Sequence, residues 1–209
     1  MKILTNFAVF EGGDGSGTTT QLELLKQRLT PEKGGPVFFP TCEPTGGPVG
    51  RLIRQALGKE VRLEQETIAR LFAADRAEHL YAPGGIVERA ERGELVISDR
   101  YVPSSLVYQG LACGGELPRI LNEDFPAPEL ILFFDIEPET ALERMKNRTK
   151  REIYEYLEFQ IEVRRRYRDV LPAFGGGGSE VIVIDASPPP GRVAEEVWRT
   201  LSRMPILKA

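Results

Sequence analysis

Phe7-Ala8-Val9-Phe10-Glu11-Gly12-Gly13-Asp14-Gly15-Ser16-Gly17-Thr18-Thr19 is the stretch whose reading decides the fold. A short apolar run meets a glycine-rich turn, and Leu22-Glu23-Leu24-Leu25-Lys26-Gln27-Arg28-Leu29 follows with apolar residues at helical spacing. Strand, glycine-rich loop, helix is the context of a phosphate-binding loop: a glycine, four residues, a second glycine, a lysine and a hydroxyl residue. Gly12 and Gly17 hold the glycine positions, with Gly13, Asp14, Gly15 and Ser16 between them, and Thr19 holds the hydroxyl. Such a loop turns successive backbone N–H groups inward around an anion, and the following helix adds its positive end. Thr18 stands where the pattern has lysine. The cradle survives that change, but a full positive charge for the outer phosphates does not.

Four further near-continuous apolar runs, Val37-Phe38-Phe39, Leu95-Val96-Ile97-Ser98, Leu130-Ile131-Leu132-Phe133-Phe134 and Val181-Ile182-Val183-Ile184, suit strands buried on both faces of a parallel sheet. Between the strands, helical patterns are predicted near 48–58, 64–82, 85–92, 103–111, 138–147, 152–171 and 191–203. The expected fold is therefore α/β: a doubly wound five-stranded parallel sheet flanked by helices. With 209 residues, 41% of them hydrophobic, and no internal repeat or long linker, a single domain over 1–209 is expected. The glycines at 175–178 read as a turn before the last strand, and Pro188-Pro189-Pro190 as a stiff entry to the final helix.

Composition limits the function classes. Lys and Arg total 27 against 31 Asp and Glu, a net charge of −4, so neither nucleic acid nor an anionic membrane is expected as a partner. No stretch approaches a membrane span and no leader pattern opens the chain. Two cysteines, Cys42 and Cys113, make no disulfide framework, which fits a reducing cytoplasm. The single histidine, His79, lies on a polar helical stretch and is expected at the surface, which argues against histidine triads and multi-histidine metal sites.

Ligands of such sheets sit at the carboxyl ends of the strands. Those positions carry Asp14 in the loop, then Thr41-Cys42-Glu43-Pro44-Thr45, then Asp99-Arg100-Tyr101 with Ser104-Ser105, then Asp135, then Asp185-Ala186-Ser187. The chain here resembles the thymidylate kinase family over nearly its whole length. The residues that carry the resemblance are 10–17, Glu43-Pro44, Leu71-Phe72-Ala73-Ala74-Asp75-Arg76, Asp99-Arg100-Tyr101, Ser104-Ser105, Tyr108-Gln109-Gly110, Phe159-Gln160 and Arg166-Tyr167.

The resemblance implies transfer of the γ-phosphoryl of ATP to thymidine 5′-monophosphate, with Mg²⁺, by a homodimer. It also implies roles. Gly12, Gly13, Gly15, Ser16, Gly17, Thr18 and Thr19 hold the ATP phosphates. Thr19 reaches Mg²⁺, and Asp99 orients metal-bound water. Asp14 accepts from the 3′-hydroxyl of the acceptor sugar, and the fork of Arg100 grips the acceptor phosphate. Phe72 stacks on thymine and Arg76, one turn on along the same helical face, bonds its carbonyl edge. Ser105 lies near the base, and Tyr108 packs near the deoxyribose.

A basic run, with five cationic residues in 144–151, follows the fourth strand and is read as a lid over about 144–152. Arg148 and Arg151 are the expected sources of catalytic charge, with Arg144 and Lys150 behind them. Thr18 and Cys42 both remove charge where relatives carry lysine and arginine. A unit charge about 4 Å from a phosphate oxygen interacts by roughly 4 kcal/mol at an effective dielectric near 20. Two alternatives therefore stand beside the kinase: a catalytically weak or inactive nucleotide-binding homologue, and a kinase for another nucleotide or a deoxynucleoside.

Overall fold

The computed structural model describes residues 2–30, 35–145 and 157–208. In chain order the elements are β1 (Ile3–Gly12), α1 (Thr18–Arg28), β2 (Phe38–Cys42), α2 (Pro48–Leu57), α3 (Gln65–Tyr81), α4 (Ile86–Glu91) and β3 (Leu95–Asp99). They continue with α5 (Val102–Cys113), α6 (Glu116–Asn122), β4 (Ala127–Asp135), α7 (Pro138–Met145), α8 (Leu157–Gly176), β5 (Glu180–Asp185) and α9 (Pro190–Leu201). The five strands pair in the order β2-β3-β1-β4-β5, every pairing parallel. This is the doubly wound α/β sheet that the apolar runs predict.

Alternation along β1 explains why the strand reads as continuously apolar. Phe7 and Val9 enter a core with Val96, Ile131, Phe133 and helices α3, α4, α5 and α8. Ala8 and Phe10 enter the opposite core with Ile97, Leu132, Ile184 and helices α1 and α9. A strand buried on both faces has no solvent side to mark with polar residues.

Three features depart from the sequence expectation. Helix α6 is not foreseen: it is one turn longer than a cap, and Pro118 sits in its first turn, where the missing N–H has no intrahelical partner to lose. Helix α8 runs to Gly176, so half of the glycine tract is helical rather than turn. Phe174, buried in the core, holds that last turn, and the N–H of Ser179 returns to the Phe174 carbonyl at 3.1 Å around a left-handed Gly178 with φ 104. His79 is not a surface residue; its partners are described with the site. The tri-proline does open the final helix, with Pro189 at the N-cap and Pro190 first in α9. Of the 144–152 segment, only Arg144 and Met145 fall among the described residues; Arg148 and Arg151 lie outside them.

Candidate active site

The loop between β1 and α1 lies at the carboxyl edge of the sheet, as the motif requires. Gly15 and Gly17 adopt φ values of 81 and 93, which residues with a Cβ rarely tolerate. A Cβ on Gly15 would lie 2.6 Å from the Ala141 carbonyl oxygen, so space as well as torsion demands glycine. The Ser16 hydroxyl is buried in this loop and has no hydrogen-bond partner among the described residues. A buried polar atom left in that state within a glycine-rich loop fits a site shaped for an anion.

Beside the loop, Thr19 donates its hydroxyl to Asp99 Oδ2 at 2.6 Å. Asp99 ends β3 and is 8% exposed, and its Oδ1 is buried with no hydrogen-bond partner among the described residues. A hydroxyl and a carboxylate at the phosphate loop are the hard oxygen donors that suit Mg²⁺, which keeps part of its water shell in such sites. Among the described residues no cluster of three or more histidine, cysteine or acidic side chains forms a preassembled metal cage.

A second cluster surrounds Asp14. Arg100 Nη2 lies 2.5 Å from Asp14 Oδ1, Tyr108 donates its hydroxyl to the same oxygen at 3.3 Å, and Gln160 Nε2 donates to Oδ2 at 3.1 Å. The Arg100 guanidinium lies 5.0 Å from the centre of the Tyr108 ring. Arg100 itself has a left-handed backbone, φ 74, at the turn from β3 into α5. That conformation disfavours a residue with a Cβ by roughly 1–2 kcal/mol, so its surroundings must impose it. Glu11 is one of the groups that do. It is fully buried beneath the loop; its Oε1 accepts the Tyr101 N–H at 2.8 Å, and its Oε2 accepts the hydroxyls of Ser104 at 2.6 Å and Tyr167 at 2.9 Å. Burial pushes its carboxyl up to about 7, against the lowering effect of those hydrogen bonds and of Arg100.

One cleft of about 530 Å³ is lined by Asp14, Thr18, Thr19, Asp99, Arg100 and Tyr108 of these clusters, together with Phe72, Cys42, Glu43, Arg54 and Gln109. Phe72 therefore faces the same space as the phosphate loop. Arg76 and Ser105 do not line it. They lie in its wall, 1% and 2% exposed, with Arg76 Nη2 donating to Ser105 Oγ at 2.9 Å. Arg76 also donates from Nε and Nη2 to Glu43 Oε2, at 2.9 and 2.7 Å, and from Nη1 to Asn122 Oδ1. The loop carrying Glu43 is fixed from α3, where the Asp75 carboxylate accepts the Thr45 N–H and hydroxyl at 2.7 and 2.6 Å.

His79 belongs to this wall, which corrects its placement at the surface. Its side chain is 9% exposed, with Nδ1 at 3.1 Å from Glu43 Oε1 and Nε2 at 2.6 Å from Thr41 Oγ1. The polar stretch around it in sequence conceals that it lies three residues after Arg76, on the same inner face of α3. Arg54 is a further residue that sequence reasoning missed. It reaches from α2 to the Pro44 carbonyl and lies 3.9 Å from Cys42 Sγ, bringing a cation beside the uncharged Cys42. Its signal was a basic residue in a helix directly after the second strand-end loop. Arg144, the described member of the basic run, donates to the carbonyls of Ala186 and Ser187, each at 2.9 Å.

A parallel sheet with a phosphate loop after its first strand, a hydroxyl–carboxylate pair at the loop and an arginine–carboxylate pair across one cleft defines a phosphotransferase of the nucleoside-monophosphate kinase type. The sequence profile of the Thymidylate kinase family matches residues 10–197. The chain belongs to the thymidylate kinase family. It is 46% identical over 172 residues to a protein of Treponema pallidum named as a thymidylate kinase, covering 82% of this chain and 81% of that one. Proteins so named from Pyrobaculum aerophilum (38% over 199 residues, 95% and 97% coverage) and Methanococcus vannielii (40% over 208 residues, 95% and 94%) are similar along almost their full length. Among the described residues no helix is long and apolar enough to cross a membrane.

Proposed function

We propose that this chain is a thymidylate kinase that transfers the γ-phosphoryl of Mg-ATP to thymidine 5′-monophosphate. The observation that carries the reading is one cleft lined by the phosphate loop, Arg100 and Phe72. The loop at 12–17 with Thr18 and Thr19 binds the ATP phosphates through backbone N–H groups. Thr19 and Asp99 hold Mg²⁺, Asp99 through water, and the metal supplies charge neutralisation on the transferred group when bound. Arg100 and Asp14 exchange their mutual contact for the acceptor: the guanidinium turns to its phosphate and the carboxylate accepts from its 3′-hydroxyl. Phe72 stacks on the base, Tyr108 packs on the sugar, and Arg76 and Ser105 address the base edge from the wall. Of the five N–H groups of Arg76, four are engaged by Glu43, Asn122 and Ser105, leaving one to offer.

Thr18 in place of the loop lysine shifts the burden of charge to other groups. Arg148 and Arg151 of a lid over about 144–152 are the proposed sources, with Arg54 beside Cys42. The chain is read as one domain over 1–209 that works as a cytoplasmic homodimer; its two cysteines are unpaired, as a reducing compartment would leave them. The test is ADP release from Mg-ATP by the purified protein, with thymidine monophosphate and the other nucleoside monophosphates in parallel, and with thymidine itself. Turnover specific to thymidine monophosphate supports the reading. Nucleotide binding without turnover on any acceptor would overturn it in favour of a non-catalytic binding protein, and turnover on thymidine would make the chain a nucleoside kinase.

A further inference from the structure

The one histidine of the chain lies in the wall of the cleft, between Thr41 and Glu43. A carboxylate can only accept, so the 3.1 Å contact between His79 Nδ1 and Glu43 Oε1, beside the Glu43–Arg76 pair, calls for a proton on Nδ1. On the other side of the ring, Nε2 meets the Thr41 hydroxyl at 2.6 Å, so both ring nitrogens are fixed by partners on β2 and the loop after it. The consequence falls on Arg76. Carboxylate and guanidinium prefer fork-to-fork pairing, with each oxygen taking one N–H. Here Nε and Nη2 both bond Glu43 Oε2, while Oε1 meets the histidine. A Glu43 relieved of His79 would be left with a buried, unpartnered Oε1 and would rotate toward the fork, drawing the guanidinium from its bonds to Asn122 and Ser105.

We propose that His79 is a positioning residue of the acceptor site: by donating from Nδ1 to Glu43 it locks the Glu43–Arg76 pair in the orientation from which Arg76 meets the base. This rests on the proposed thymidylate kinase reading for its kinetic consequence, though not for the hydrogen bond itself.

Two measurements test it. Nitrogen-15 NMR of the wild-type protein labelled in histidine gives signals from one ring only. A protonated Nδ1 is expected, and a ring protonated on Nε2 alone would overturn the proposal. In steady-state kinetics, His79→Leu is expected to raise KM for thymidine monophosphate about tenfold, the loss of roughly one hydrogen bond to a charged group. KM for ATP should stay within about twofold, since Thr19 and the loop are untouched. His79→Asn keeps an amide N–H near the Nδ1 position and should restore most of the acceptor affinity. An unchanged acceptor KM in a folded His79→Leu protein, or equal losses for ATP and acceptor, would overturn the assignment. If His79→Leu does not fold, the Asn variant and the NMR signal decide. A wild-type protein with no activity on thymidine monophosphate would defeat the functional reading, while the ring's protonation would still judge the contact.

Discussion

Gln160 engages Asp14 twice: its Oε1 accepts the Asp14 N–H and its Nε2 donates to Asp14 Oδ2, both at 3.1 Å. The first turn of α8 is thereby fastened to the phosphate loop, and the carboxylate is turned toward Arg100 on its other oxygen. Substituting Gln160→Leu keeps the volume and deletes both bonds. The expected result is a fall of about tenfold in kcat/KM for the acceptor, the cost of about one to two hydrogen bonds to a positioned carboxylate. KM for ATP should change little. Equal loss on both substrates would mean that Gln160 supports the loop as a whole rather than Asp14.

The Thr19–Asp99 pair makes a different demand. Asp99→Asn preserves shape and leaves the Thr19 hydroxyl an acceptor, but removes the negative charge next to the orphan Oδ1. Turnover should fall by about two to three decades, while thermal stability shifts by little, since Asp99 forms no salt bridge among the described residues. Chelation of divalent cations should abolish wild-type turnover and added Mg²⁺ should restore it. Turnover of the Asn variant within a few-fold of wild type would remove Asp99 from the metal site.

Much of this arrangement was legible before any coordinates. The five strands stand out because burial on both faces makes them continuously apolar, and the loop because Gly12 and Gly17 stand at the motif spacing between a strand and a helix. What stayed hidden depends on contacts between segments far apart in sequence. Gln160 reaches Asp14 across 146 positions, and Arg54 and His79 acquire their meaning only when α2 and α3 pack beside β2. A polar helical stretch looks the same whether its polar face meets water or a buried carboxylate, and so His79 was misplaced. Periodicity places Arg76 one turn after Phe72, yet it cannot show that Arg76 lies in the wall with four of its five donors engaged by the protein.

Thr18 is the first residue of α1, buried to 7% exposure, and it lines the cleft. Thr18→Lys should raise kcat by about a decade or more if the loop still lacks charge, because phosphoryl transfer depends chiefly on positioning and charge neutralisation. An unchanged or lower rate would show that another cation already fills the space. In that case Arg151→Ala and Arg54→Ala identify it, since the variant that supplies the charge should lose most activity in the Thr18 background.

Glu11 links stability to pH. Burial raises its carboxyl to about 7, from an ordinary value of 4.5, so the folded protein holds the proton more tightly than the unfolded chain. The stabilisation from that proton is complete below about pH 4.5 and is lost as pH rises through about 7; at its ceiling it amounts to about 3 kcal/mol. Glu11→Gln cannot titrate, and its amide finds partners because the Ser104 and Tyr167 hydroxyls, 2.8 Å apart, can each reverse from donor to acceptor. The wild-type protein should therefore lose unfolding free energy relative to Glu11→Gln between about pH 5 and 7.5, measured by urea denaturation at each pH. The loss should be continuous and should level off above about pH 8. A difference between the two proteins that does not vary over this window would mean that the Ser104, Tyr101 and Tyr167 donors with Arg100 keep Glu11 ionised, and that the site beneath the loop carries a permanent negative charge.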